Sequence, residues 1–147
     1  DSGYVTDTIS GAQAYFPYTP EYEEKFENNI SYRSWTLKKY AMEFTLQSFE
    51  AGDQNLTKLA KSLTEYVKND RVTIRSVSTD TSKNTLKSFF ILDDSSGYTY
   101  YTKWIYSRKN LYCINSRYPI SSNETTGYAE NALSFLNSFS IADTSDH

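Results

Sequence analysis

Histidine and cysteine are nearly missing from this chain, and that scarcity excludes more chemistry than any motif present can assign. The 147 residues hold one histidine, His147 at the far end, and one cysteine, Cys113. With no imidazole elsewhere, Ser-His-Asp and Cys-His catalysis and the usual zinc constellations are excluded. A single thiol forms no intramolecular disulfide. The five glycines are scattered, so neither GxGxxG nor GxxxxGK occurs and no phosphate-binding loop can be drawn. No apolar run is long enough to span a bilayer. Concentrated positive charge is missing too. The net charge is −3, with six acidic groups and one lysine placing residues 1–28 at −5 and the remainder at +2. No nucleic-acid partner is expected of such a chain.

The carboxylates that are present do not make up the deficit. Asp93-Asp94, Glu23-Glu24, and Asp143 with Asp146 fall in a turn, an acidic run and a tail. None lies on a framework that would fix two carboxyls at a working separation. Asp93-Asp-Ser-Ser gathers hard oxygens but lacks the further carboxylates of a dedicated calcium loop. The sequons at Asn29, Asn55 and Asn123 are what a chain this rich in Ser and Thr produces by chance. Cys113, between Tyr112 and Ile114 and far from any histidine, reads as a structural thiol. No metal or other cofactor is expected.

Aromatic residues are what the chain has in quantity: 14 Tyr, 8 Phe and 2 Trp. Aromatic and β-branched residues favour pleated, half-buried surfaces, so a sheet-rich single domain is expected over residues 11–141. The first ten residues, DSGYVTDTIS, are polar and patternless. They read as a leading tail, such as would remain after removal of an export or lipid-anchor segment, and residues 142–147 read as a trailing one. A first strand spans Ala12–Phe16 and is stopped by Pro17 and Pro20. The acidic run Glu21–Glu27 reads as a loop or a short helix with a solvated face. Over residues 31–50 the apolar phase changes from Trp35 and Leu37 to Tyr40, Met42, Phe44 and Leu46, which places a bulge or tight turn at Lys38-Lys39.

Leu56, Leu59, Ala60, Leu63, Tyr66 and Val67 form one apolar stripe at helical spacing, so a helix is predicted over 53–68 with Asp53 as its N-cap. Strands follow over 71–79 and 86–92. The stretch GYTYYTKWIYSRKNLYCINSRYP, residues 97–119, then reads as a hairpin turning at Arg108-Lys109-Asn110. A three-residue turn would set Trp104 opposite Ile114 and Tyr106 opposite Tyr112. That places Tyr98, Tyr100, Trp104 and Tyr106 on a core face and Tyr101, Lys103 and Ile105 on the outer one. A buried aromatic cluster fits better than a base-stacking platform. A second helix carries Tyr128, Ala129, Ala132, Leu133 and Leu136 on its stripe, with Ser121 and Glu124 spaced as a capping box. A terminal strand covers 138–141. The predicted class is α+β, an antiparallel β-sheet with two main α-helices.

This order, with Tyr15-Phe-Pro17 and Pro20 at the front, Leu111-Tyr-Cys-Ile and Tyr118-Pro119 late, and Ala132–Ile141 (ALSFLNSFSI) at the end, resembles the Mog1/PsbP-like family of α+β domains. The resemblance implies a non-catalytic accessory or binding domain of the kind found among bacterial envelope lipoproteins. It carries over no catalytic residues, because the family has no shared set. The expectation is therefore an extracytoplasmic domain, in the bacterial cell envelope or secreted, that engages another protein and has no enzymatic activity. The surface expected to do so is the outer side of the hairpin, Tyr101, Lys103 and Arg117, with Arg108 and Lys109 at its turn. A carrier of a small apolar ligand or lipid, held between helix 53–68 and the sheet, is the alternative. An enzyme built on Glu43 or Glu65 with tyrosines is a third class.

Overall fold

The structure is a computed structural model that describes residues 2–120 and 127–142. Its strands are β1 (Gly3–Thr6), β2 (Ala12–Phe16), β3 (Glu21–Glu27), β4 (Ile30–Lys39), β5 (Met42–Glu50), β6 (Val72–Ser82), β7 (Thr85–Asp94), β8 (Tyr98–Ser107), β9 (Asn110–Pro119) and β10 (Ser140–Ile141). Helix α1 (Leu56–Val67) follows β5, and α2 (Tyr128–Asn137) precedes β10. Seven strands form an antiparallel sheet in the order β3-β4-β5-β9-β8-β7-β6, and β1-β2-β10 form a second, smaller one. The α+β class and both main helices are as expected. The capping box at Ser121 and Glu124, the tail 143–147 and His147 lie outside the described residues.

Each face of the large sheet has its own cover. On one face, Leu63 and Val67 of α1 pack against Leu86, Phe90 and Leu92 of β7 and Tyr106 of β8. On the other, Ala132, Phe135 and Leu136 of α2 and Ala12, Ala14 and Phe16 of β2 meet Leu46, Tyr112, Ile114 and Tyr118. A strand covered on both sides is apolar at both parities, as β7 and β8 are. The main core therefore takes the odd residues of β8, and Tyr101 and Ile105 are buried.

Four elements differ from the sequence-based expectation, each for a local reason. Gly3–Thr6, expected within the leading tail, pairs with β2 from Gly3 opposite Phe16 to Thr6 opposite Gln13. Glu21–Glu27, expected as loop or helix, is an edge strand paired along its whole length with β4. Pairing at an edge needs only main-chain groups on one side, and edges commonly carry charge. The N-cap of α1 is Asn55, whose side chain accepts from the Lys58 amide, rather than Asp53. The hairpin turns on two residues, Arg108 and Lys109, so Ser107 faces Asn110, Lys103 faces Ile114 and Trp104 faces Cys113.

One buried ion pair fastens the small sheet to the large one. Asp7, in the β1–β2 turn, is 2% exposed. Its carboxylate accepts from Arg33 Nε at 3.1 Å and Nη2 at 2.8 Å, from the Ser10 hydroxyl at 2.7 Å and from the Ile9 amide at 3.1 Å. Burial alone would raise this carboxyl's pKa; the bonds from Arg33, Ser10 and Ile9 outweigh it and hold the value below the ordinary range.

Candidate functional site

Tyrosines that the core does not use gather at one end of the small sheet. In β2, Ala14 and Phe16 point inward, so Tyr15 projects outward, and Tyr4 stands opposite it in register. Their rings meet edge to face at 5.2 Å. The Tyr15 amide donates to Ser138 Oγ at 2.9 Å, tying this strand to the end of α2. Tyr128, Asn131 and Ser134 of α2 recur at helical spacing along the facing wall, and Met42, Phe44 and Phe135 line the groove between. The groove has a volume of about 480 Å³. It is open to water, since Tyr4 is 63% and Tyr40 77% exposed.

The β4–β5 turn forms one rim. Tyr40 and Ala41 occupy left-handed backbone conformations at φ 55° and 66°, as a two-residue hairpin turn of this hand requires. Such a turn prefers Asn-Gly, and each side chain with a Cβ costs about 1–2 kcal/mol there. The β3–β4 turn meets the same requirement with Asn28 and Asn29. The Lys39 ammonium lies over the Tyr18 ring at 4.5 Å and the Tyr40 ring at 4.9 Å, a double cation–π contact. Among the described residues that line the groove, Lys39 is the single charged one and none is a carboxylate.

The five residues expected to form a binding face do not converge. Tyr101 is 6% exposed, its ring beside Phe89 and Tyr118, so it belongs to the core. Lys103 is half-buried, and burial with the neighbouring Lys87 lowers its pKa. Arg117 lies on the opposite face of the sheet, stacked over Tyr98 at 4.4 Å and bonded to Glu43 Oε2 at 3.1 Å. At the turn, Arg108 donates to the Ala142 carbonyl at 3.2 Å and Lys109 pairs with Asp53 at 3.8 Å. The one-residue change of register puts Arg117 on the face opposite Tyr101 and Lys103, and Tyr101 is buried because both faces of the sheet are covered.

The remaining candidates resolve into structural parts. Cys113 is buried, which pushes its thiol up to about 12. Asp94 accepts from the Ser96 and Tyr98 amides and the Tyr100 hydroxyl, closing the β7–β8 turn. Its neighbour Asp93 binds Thr99 Oγ1 and Arg75. Among the described residues no group of three or more His, Cys, Asp or Glu could hold a metal ion. Under α1, where the alternative reading put a ligand pocket, Leu63 and Val67 pack against Leu86, Phe90, Leu92 and Tyr106; the groove is beside α2 and includes neither Glu43 nor Glu65. Among the described residues no helix is long and apolar enough to cross a membrane.

No family model matches this sequence, and no curated protein matches it. The fold has solved counterparts. It superposes on the solution structure of the cyanobacterial PsbP protein (CyanoP) from Synechocystis sp. PCC 6803 with a TM-score of 0.65. The match covers 96% of this chain and 92% of that one, at 11% sequence identity. The chain therefore has a PsbP-like fold.

Proposed function

We propose that this chain is a non-catalytic accessory domain that engages another protein through the tyrosine groove. We place it outside the cytoplasm, in the bacterial cell envelope or as a secreted protein. The groove carries the reading: exposed tyrosines over an apolar floor, at the junction of two sheets and a helix, match the aromatic-rich, charge-poor centre of a protein-binding patch. The accessory role implied by the resemblance, and the PsbP-like fold, agree with it; fold likeness alone does not assign function. The apolar floor of Met42, Phe44 and Phe135 favours, as a second reading, carriage of a small apolar ligand.

Site-specific photocrosslinking separates the two. A benzophenone amino acid replaces Tyr15 or Tyr40 in one set of variants and Val77, an exposed position on β6, in a control. Discrete protein adducts at Tyr15 and Tyr40 that are missing at Val77 are expected. Equal yields at all three positions, or none, would refute the protein-binding reading. A low-mass adduct at the groove, seen by intact-mass measurement, would replace it with the carrier reading. Fractionation of expressing cells tests location, and recovery in the cytoplasmic fraction would overturn that part.

A further inference from the structure

Resting on that reading, we infer the chemistry of the partner: an extended segment with an aromatic or large apolar side chain flanked by carboxylates. Three observations converge on it. The groove floor, with Phe44 and Phe135 in edge-to-face contact at 5.1 Å, offers an apolar seat for one large side chain. At the rim, the Lys39 ammonium lies over two tyrosine rings, and the described residues of the lining include no acidic one. A cation held in place by rings, with no carboxylate paired to it among the described residues, is locally complementary to an incoming carboxylate.

The third observation distinguishes a peptide from a lipid. Asn131 and Ser134 lie one helical turn apart on the groove wall. Both are exposed to solvent. A primary amide both donates and accepts, so Asn131 can pair with the N–H and C=O of an extended main chain. A fatty acyl chain would leave that capacity unused and would leave the open side of the groove uncovered, whereas enclosed pockets cover most of a small ligand.

The test uses the full chain, two blocked pentapeptides, SEFES and its charge-reversed form SKFKS, and laurate, followed through amide shifts by NMR. SEFES is expected to shift residues around Lys39 and Asn131 and to bind about fivefold or more tighter than SKFKS, with the difference shrinking as salt rises. Lys39→Glu should reverse the preference, and Asn131→Ala should weaken both peptides without altering it. Equal binding of the two peptides, or groove shifts from laurate with none from either peptide, would overturn the inference. If neither peptide binds while the Tyr15 crosslink to a protein persists, the inferred chemistry fails and the protein-binding reading stands.

Discussion

Replacing Asp7 by alanine should be among the most damaging single changes in this molecule, although Asp7 lies in a turn of a minor sheet. Removing its carboxylate leaves Arg33, a residue 9% exposed, without its buried anion, together with the Ser10 hydroxyl and the Ile9 amide. Breaking a buried pair by deleting one partner costs roughly 3–5 kcal/mol, because the remaining charge stays desolvated. At this chain length that corresponds to a fall in melting midpoint of about 10 °C. The pair also has a pH signature. The folded carboxyl titrates below its unfolded value of about 4, so its contribution is complete above that pH. It is lost as the pH falls through the lower folded value. Urea unfolding of wild type and Asp7→Ala at pH 7, and at steps down to pH 3, measures both effects. The gap between the two proteins should be largest at neutral pH and narrow on acidification. The double variant Asp7→Leu with Arg33→Met removes both charges and should recover much of the loss. A single-variant cost under about 1 kcal/mol at pH 7, or a gap that widens in acid, would refute this account of the junction.

Cys113 should be inert in the native state. Burial raises its thiol to about 12, so Ellman's reagent at pH 8 should react only at the rate of unfolding, and rapid stoichiometric labelling of folded protein would contradict its placement. At the groove rim, replacing Tyr40-Ala41 by Asn-Gly should raise stability by about 1–2 kcal/mol through relief of the left-handed strain. The same change should weaken SEFES binding in the titration, and a variant that is no more stable would show the turn to be unstrained.

Strands and helices were legible wherever burial imposes a period. The α1 stripe and β2 follow directly from which residues face the core; the change of phase does mark a turn, but it falls at Tyr40-Ala41, beyond the expected Lys38-Lys39, which are paired in β4. β3 was hidden because Glu21, Glu23, Glu24 and Glu27 give it the composition of a solvated loop, while its pairing with β4 rests on main-chain groups that every sequence possesses. The hairpin is legible in the sequence and its register is not. Arg108 and Lys109 adopt φ 52° and 67°, conformations for which neither residue type is a signal, so a two-residue turn had no mark in the sequence. One residue of error there put Arg117 on the face of Tyr101 and Lys103, whereas Tyr101 is buried because each face of the sheet has its own cover.

The groove shows why a binding surface is harder to read than a core. Its walls come from β1, β2, the β4–β5 hairpin and α2, short pieces scattered over residues 4 to 138. The dense cluster of tyrosines in residues 97–119 attracts attention, yet most of those rings fill positions between a sheet and its covering helices, where aromatic bulk is what packing requires. Tyr4, Tyr15, Tyr18 and Tyr40 are sparse by comparison, but packing explains none of them: each is more than two-fifths exposed. A large aromatic side chain left in water, beside a backbone strained to hold one of them, is the more informative signal. In a chain with so little catalytic chemistry, aromatic rings that the fold does not need are the places to look for what it binds.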